Sequence, residues 1–252
     1  MWPISDTDTL FWSLLILTFF VAGLVKGVTG MGLPTVAMGV LGAIMPPVAA
    51  AALLVVPSFV TNVWQLVTGL NVRSLMRRLW PMMLGIVAGT LLSASLLTGG
   101  DTHLTTAALG FALLAYSLYT LFAKQVCVPP RLERWLSPLS GLTTGAITGG
   151  TGVFVIPAVP YLQALGLSRD DLIQALGLSF TVSTIALAAG LALHGAFNVG
   201  NLRQSALLVV PALMGMVAGT WLRQRISPAL FRKGFLICLA LLGAELASRA
   251  FR

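Results

Sequence analysis

One ten-residue pattern occurs twice in this chain, at 81–90 and again at 211–220. Both copies read Pro-x-x-x-Gly-x-Val-Ala-Gly-Thr. An apolar segment interrupted by glycines precedes each copy, over 23–34 and over 141–152. A chain that repeats both a helix and a helix break predicts two related halves, each with an interrupted segment at the corresponding place.

Composition assigns these halves to a membrane. Hydrophobic residues make up 57% of the chain and charged residues 9%, against about 25% charged residues in an average soluble domain. The sequence therefore predicts an all-α polytopic membrane protein surrounded by the lipid bilayer. The net charge of +8 comes mostly from short loops between apolar runs, where basic residues orient a membrane protein and do not indicate a nucleic acid partner. The two cysteines, Cys127 and Cys238, indicate neither a disulfide nor a metal site, and no cofactor is expected.

Five apolar runs fall in each half. Most approach the roughly 20 residues that a helix needs to cross a bilayer, whereas the second run of each half is shorter. The runs are 10–28, 33–45, 48–69, 79–98 and 103–123, followed by 136–149, 152–166, 170–196, 203–222 and 228–248. With five segments per half, the second half enters the membrane from the opposite side, so we expect inverted-topology repeats. The predicted parts are a first membrane repeat over 1–123, a cytoplasmic linker over 124–135 and a second membrane repeat over 136–252.

Basic residues are divided unequally between the two predicted sides, and cytoplasmic loops carry the excess of Lys and Arg in membrane proteins. One side holds Arg73, Arg77, Arg78, Lys124, Arg131, Arg134, Arg169, Arg223, Arg225, Arg232 and Lys233, and the other holds Arg203, Arg249 and Arg252. The first group predicts the cytoplasmic side, which leaves both termini outside the cytoplasm. Three interpretations of the short runs stay open. If the first two runs of a half both cross the membrane, or if they enter and return together, later loops keep their sides. If only one of the two runs crosses, the N-terminus moves inside.

The interrupted segments predict a binding site. Gly27, Gly30 and Gly32, followed by Pro34, disfavour a continuous helix, since Gly costs about 1 kcal/mol and Pro about 3 kcal/mol in a helix interior. A half-helix that starts within the membrane exposes unpaired N–H groups, and its dipole favours an anion there. Two breaks facing each other near the midplane therefore predict an anion site. The predicted substrate-binding residues are Lys26, Thr29, Gly30, Gly32, Asn62, Gly149, Gly150, Thr151, Gly152, Ser179 and Ser183.

Several of these residues also have a purely structural interpretation. Glycines let transmembrane helices pack closely, and this is the favoured interpretation for the repeated glycines at 85, 89, 215 and 219. Lys26 either pairs with an anionic substrate or extends its ammonium group to the end of its helix. The nearest equivalent of Lys26 in the second half is Thr144, so a charge at the site would make it asymmetric.

Polar side chains in the third segment of each half offer neutral hydrogen-bond donors to an oxyanion, or else bond neighbouring helices to one another. They are Ser58, Thr61, Asn62, Gln65, Ser179, Thr181, Ser183 and Thr184. Carboxylates fall instead in predicted loops or near segment ends, at 6, 8, 101, 133, 170, 171 and 245. A cation site, a proton relay or a metal-dependent enzyme would need carboxylates inside the membrane. We therefore expect an anion carrier and no enzyme. The alternatives are a flippase or a membrane-embedded enzyme acting on an anionic polyprenyl phosphate lipid.

The segment Gly23-Leu-Val-Lys-Gly-Val-Thr-Gly-Met-Gly-Leu-Pro34, its weaker echo at 141–157 and the repeated Pro-x-x-x-Gly-x-Val-Ala-Gly-Thr resemble the TauE/SafE, or sulfite exporter, family. The likeness extends over about 10–248. It implies a multi-pass transporter of the bacterial inner membrane whose substrates are small sulfur-containing anions such as sulfite, sulfoacetate or related sulfonates. Export by alternating access between the two repeats, driven by a coupling ion, is the expectation that follows. The second glycine motif lacks the lysine, so the resemblance carries no role from Lys26 to the other half.

Overall fold

The computed structural model describes residues 9–123 and 126–249. Within these ranges the chain forms eleven helices and no strand, so the all-α prediction is confirmed. The helices are α1 (Thr9–Thr29), α2 (Leu33–Gly42), α3 (Pro47–Val67), α4 (Val72–Gly99), α5 (Thr102–Phe122), α6 (Pro130–Thr151), α7 (Ala158–Ala164), α8 (Arg169–Leu193), α9 (Val199–Leu207), α10 (Val209–Leu222) and α11 (Pro228–Ser248). Predictions that involve Asp6, Asp8, Lys124 and Arg252 lie outside the described residues.

Six stretches are long and apolar enough to cross a membrane, which agrees with a polytopic membrane protein. They are α1, α3, α4, α5, α8 and the continuous stretch Val199–Leu222. By contrast, α2 has 10 residues and α7 has 7. At a rise of about 1.5 Å per residue, neither helix covers the roughly 30 Å of a bilayer core.

The short helix of the second half turns back along the helix before it. The N–H of Val128, just before α6, donates to the carbonyl of Ala164 at the end of α7 at 2.8 Å. The Tyr161 hydroxyl also donates to the carbonyl of Glu133 at 3.4 Å. The beginning of α6 and the end of α7 therefore lie together, and the pair forms a hairpin that enters and returns. Of the interpretations left open by the sequence, the structure favours this one for the second half.

The halves interlock through pairs of closely packed helices. The first helix of each half packs along the repeated proline–glycine helix of the other, α1 on α10 and α6 on α4. A Cβ atom at Gly215 would overlap the carbonyl oxygen of Phe20, and one at Gly89 would overlap that of Leu142. Gly85 and Gly219 make equally close approaches to the partner helices. The packing role predicted for these four glycines is confirmed.

Two helix boundaries differ from the predicted runs. Helix α6 begins at Pro130, inside the predicted linker, because proline fits the first turn of a helix and its missing N–H is not needed there. The predicted run at 203–222 is divided between α9 and α10 at Leu208. Pro211 explains this break, since it cannot donate to the carbonyl of Leu207 four residues earlier.

Three predicted loops of the basic side meet at one end of the bundle. Arg78 forms an ion pair with Glu133 at 2.7 Å and also donates to the carbonyl of Leu165 at 3.5 Å. The starts of α4 and α6 therefore lie at the same end of the helix bundle as the end of α7. At the beginning of α8, Asp171 accepts a hydrogen bond from Asn71 at 2.7 Å, which adds the α7–α8 connection to the same group.

Candidate functional site

Each interrupted segment is built around a threonine and a left-handed glycine. In the first break, Gly30 has φ 79° and Gly32 has φ 111°, a region that residues with a Cβ atom rarely occupy. The Thr29 hydroxyl donates to the Val25 carbonyl at 2.8 Å and accepts a bond from the Met31 N–H at 3.3 Å. Helix α1 therefore ends in a fixed turn.

The second break repeats this arrangement. Gly152 has φ 73°, and the Thr151 hydroxyl donates to the Ile147 carbonyl at 2.7 Å. That hydroxyl also accepts from the Val153 N–H at 3.2 Å. The same pair of bonds thus closes both helices, which identifies Thr29 with Thr151.

This match changes the expected counterpart of Lys26. The N–H of Gly30 donates to the carbonyl of Lys26 at 2.7 Å, and the N–H of Gly152 donates to that of Thr148 at 2.7 Å. Thr148 therefore occupies the matching position, and the sequence prediction of Thr144 is wrong by one helical turn. Aligning the glycine pattern at 23 with that at 141 matched the packing faces of the two helices and not their breaks.

Lys26 points into the protein. Its side chain is 2% exposed, and the ammonium group donates to the hydroxyl of Thr61 at 3.2 Å and to the side-chain oxygen of Asn62. The alternative in which Lys26 extends to the end of its helix is therefore wrong. Ion pairs in the described ranges join Arg78 to Glu133 and Arg249 to Glu245, so the Lys26 ammonium has neutral partners and no carboxylate.

The polar contacts of Lys26 continue into the second half of the chain. Asn62 donates from its amide nitrogen to the Thr184 hydroxyl at 3.2 Å, and Thr184 donates to the carbonyl of Phe180 at 2.7 Å. Asn62 and Thr184 are both buried. A single hydrogen-bonded chain thus links α1, α3 and α8 and contains residues of both halves.

Three serines on α3 and α8 add unused donors. The hydroxyl groups of Ser58, Ser179 and Ser183 are buried without a hydrogen-bond partner in the described part of the chain. Ser58 lies one helical turn before Asn62, and Ser183 is the residue before Thr184. Because buried hydroxyls are normally bonded, these three groups are candidates for contact with a ligand.

Two glutamines separate the Lys26 contacts from a cavity at the basic end. Gln65 donates to the carbonyl of Gly30 at 2.9 Å and to that of Ile173 at 2.8 Å. In the opposite direction, Gln174 donates to the carbonyl of Leu66 at 2.8 Å and accepts from the Asn71 N–H at 2.9 Å.

Beyond these glutamines lies a cavity of about 400 Å³. Its lining includes Gln65, Gly69, Asn71, Ser168, Asp171 and Gln174. We call this cavity the vestibule. The glutamines therefore lie between the vestibule and the chain that starts at Lys26.

The predicted binding residues fall into distinct places. Lys26 of α1 and Asn62 of α3 are in direct contact, and Gln65 of α3 donates to the carbonyl of Gly30. Gly149 packs on α4, where a Cβ atom would overlap the carbonyl of Thr90, while Gly150 has open space around it. Gly32 lies beside Val25 and Phe235, and Gly152 lies beside Met38 and Ala51.

Thr61 and Thr184 were missing from the predicted binding set, although they belong to the polar groups noted on the third segments. Both are part of the hydrogen-bonded chain from Lys26. Helical spacing puts Thr61 beside Asn62, but a sequence does not show which of these residues faces another helix. Among the described residues, no group of three His, Cys, Asp or Glu side chains is placed to hold a metal ion.

A family model described as sulfite exporter TauE/SafE matches residues 15–246. No curated protein and no solved structure matches the chain.

Proposed function

The chain belongs to the sulfite exporter TauE/SafE family, and from this we propose that it exports a small anion such as sulfite, sulfoacetate or a related sulfonate. Members of this family are transporters and not enzymes. The proposed mechanism is alternating access, in which two inverted repeats move against each other around a central site. A coupling ion would drive the cycle. We place the protein in the inner membrane of a bacterium, with both termini outside the cytoplasm.

The buried ammonium group of Lys26 carries this proposal. A charge without a counter-charge is strongly unfavourable inside a protein or a membrane, and such residues commonly mark substrate pathways. Among the described residues, the acceptors that Lys26 reaches are the neutral groups of Thr61 and Asn62. An oxyanion beside it would supply the missing negative charge and would accept charge-assisted hydrogen bonds.

The surrounding groups suit an anion with several oxygen atoms. Lys26 provides the charge, while Ser179 and Ser183 provide hydroxyl donors without a hydrogen-bond partner in the described ranges. In this proposal, backbone and side-chain groups of the two breaks complete the site at Thr29, Gly30, Gly32, Gly149, Gly150, Thr151 and Gly152. One cationic group among neutral donors favours binding but also permits release, which a carrier needs.

The two glutamines supply one of the gates that alternating access requires. Gln65 and Gln174 bond α3 to the first break and to α8 through main-chain carbonyls. In this proposal, the end of the bundle that carries the basic loops faces the cytoplasm. We therefore propose that these bonds close the cytoplasmic path and must open before an anion enters from the vestibule.

Transport in proteoliposomes tests the proposal. Wild-type protein is expected to move sulfite or a sulfonate down its gradient, and Lys26→Gln to reduce this movement at least tenfold. Lys233→Gln is the matched control, because it removes the same charge from an exposed lysine of α11. The proposal is wrong if none of sulfite, thiosulfate, taurine, sulfoacetate and sulfolactate is moved. It is equally wrong if Lys26→Gln transports as well as Lys233→Gln.

A further inference from the structure

An apolar groove separates α7, in the second half of the chain, from α5, in the first half. Its volume is about 660 Å³, within the roughly 300–1,000 Å³ of typical ligand sites. Tyr116 of α5, Leu136 and Leu139 of α6, and Pro157 and Pro160 of α7 and its preceding turn contribute to the lining. At the corresponding short helix of the first half, Gly39 of α2 packs closely between side chains of α5 and α11.

The groove opens onto a surface that faces lipid. Leu139 lines it and is 56% exposed. Trp135 and Leu142 lie on the same face of α6 and are also exposed, since residues four and three positions away share a helix face. An exposed apolar helix face in a membrane protein contacts acyl chains, so hydrocarbon has direct access to this groove.

A polar cavity continues the groove toward the basic end of the bundle. It has a volume of about 270 Å³ and shares Tyr119, Val126, Pro160 and Ala164 with the groove. Thr120, Ala123, Gln163 and Arg232 complete its lining. Arg232 takes part in neither of the ion pairs in the described ranges. A cation at the end of an apolar groove fits a molecule with a hydrocarbon chain and an anionic head.

We propose that this composite site holds an anionic phospholipid, with one acyl chain in the apolar groove and the phosphate against Arg232. Thr120 and Gln163 offer further polar contacts to the headgroup. Basic pockets between helices on the cytoplasmic side bind anionic lipid heads in the same physical way. The chain end would lie beside Ile156 and Pro157, next to the second break, so the lipid would fill the space that protein side chains fill around α2.

Thermal-shift and native mass spectrometry measurements on the full-length protein in detergent test this site. The probes are phosphatidylglycerol, phosphatidylcholine and inorganic phosphate. Phosphatidylglycerol is expected to raise the melting temperature by several degrees and to remain bound as one molecule. Inorganic phosphate, which has no acyl chain, and phosphatidylcholine, which has no net charge, are each expected to shift the melting temperature by less than a third as much.

Matched variants locate the binding. Arg232→Gln removes the headgroup contact and Ala164→Phe fills the groove, and each is expected to weaken phosphatidylglycerol retention at least tenfold. Lys233→Gln, the next residue on α11, is expected to retain the lipid because its exposed side chain does not line either cavity. Thr143→Phe, at the edge of the groove, replaces Ala164→Phe if that variant does not fold.

Several outcomes would overturn the proposal. Equal loss in Lys233→Gln and Arg232→Gln would mean a diffuse attraction to surface charge. An equal shift with phosphatidylcholine would mean unspecific apolar binding, and an equal shift with inorganic phosphate would mean a free-anion site. Lipid retention is measured without any transported anion, so a failure here leaves the transport proposal to be judged by the Lys26 variants alone.

Discussion

Lys26 lies three residues before the end of α1, where a lysine side chain is long enough to extend past a helix terminus into water. It turns inward because two acceptors from α3, 35 and 36 residues later in the chain, lie beside it. Both acceptors are neutral, so no carboxylate among the described residues neutralises the ammonium group before an anion enters the site. The inward orientation of Lys26 therefore places a cationic group in the candidate site.

A carboxylate placed beside Lys26 should therefore compete with the transported anion. Asn62→Asp keeps the shape of the side chain and supplies the missing counter-charge. We expect the dissociation constant for sulfite, measured by thermal shift, to rise at least tenfold, or about 1.4 kcal/mol. The melting temperature without anion is expected to stay the same or to rise, which distinguishes this effect from misfolding.

The matched control for that change is Asn198→Asp. Asn198 is exposed and caps α9 by accepting a bond from the Asn201 N–H at 3.1 Å, and aspartate caps a helix about as well. Anion affinity should be unchanged in this variant. If Asn62→Asp binds sulfite as tightly as the control does, Lys26 is not the anion's partner.

Two glycines of the second break should respond differently to replacement by alanine. Gly152 has φ 73° and faces the end of the Met38 side chain, whereas Gly150 is helical with open space around it. Gly152→Ala should lower the free energy of unfolding by about 1–2 kcal/mol, the cost of a left-handed conformation. Gly150→Ala should raise it by up to about 1 kcal/mol through helix propensity. Urea or thermal unfolding in detergent measures both, and similar values for the two variants would contradict the assigned break.

At the level of helices, close main-chain contact holds the two halves together. Helix α10 approaches α1 so closely that Gly215 leaves no room for a Cβ atom beside the Phe20 carbonyl. Helix α4 approaches α6 in the same way at Gly89. These contacts maximise dispersion between helices, which matters in a membrane because lipid removes the hydrophobic driving force between them.

Adding one methyl group to such a contact should separate the helices. Gly215→Ala is expected to destabilise the protein by about 1–3 kcal/mol, the usual cost of overpacking. Gly234→Ala is the control, since Gly234 lies in α11 with no atom near its Cβ position. It should stabilise α11 by up to about 1 kcal/mol. The comparison is made by thermal unfolding, and a neutral Gly215→Ala would show that the α1–α10 contact is looser than described.

The glutamine bridges between α3, α8 and the first break should control access from the vestibule. Gln65→Met keeps the length of the side chain but loses two hydrogen bonds, each worth about 0.5–1.5 kcal/mol. In a background of Cys127→Ser and Cys238→Ser, a cysteine introduced by Thr61→Cys should then react several times faster with a charged thiol reagent added on the basic side.

Thr68→Val is the control for the gate. Thr68 lines the same vestibule, but its hydroxyl donates only to the carbonyl of Gln65 within its own helix, at 3.1 Å. This change should leave the labelling rate of Thr61→Cys as it was. Equal acceleration by Thr68→Val and Gln65→Met would assign the effect to a general loosening of α3.

At the scale of the whole molecule, loop contacts define one end of the bundle. Arg78, Glu133 and the carbonyl of Leu165 meet there, while at the other end Arg249 donates to the carbonyl of Ala43 at 3.0 Å. The basic loops gathered at the first end predict that it faces the cytoplasm.

Reporter fusions test this orientation. A reporter that is active only outside the cytoplasm should be active when fused at residue 1 or after residue 252, and inactive when inserted at 126–129. This expectation extends to the first pair, α1 and α2, the hairpin that the contacts of α6 and α7 show in the second half. A cytoplasmic signal at residue 1 alone would show that a single segment of the first pair crosses the membrane.

The sequence predicted the features that depend on residue type and spacing. Repeated glycines marked both the breaks and the packing faces, because glycine is the residue that permits left-handed backbone and close helix contact. The short runs predicted helices too short to span, and the absence of carboxylates from the segment interiors predicted a site without negative charge. The sequence prediction matched Lys26 with Thr144 and not with Thr148. Glycines recur at every fourth residue in these segments, so the two segments align equally well when one is shifted by one helical turn.

What the sequence determined by itself, then, is an all-helical membrane bundle with two broken segments, since hydrophobicity and helix breaking are properties of local chain chemistry. Only the tertiary structure decided which groups surround Lys26. Its orientation depends on Thr61 and Asn62 of α3, and the link onward to Thr184 depends on α3 meeting α8 from the other half. Local spacing shows which helix a side chain occupies but not which helix it faces, because the packing of helices distant in sequence fixes the direction of each buried polar group.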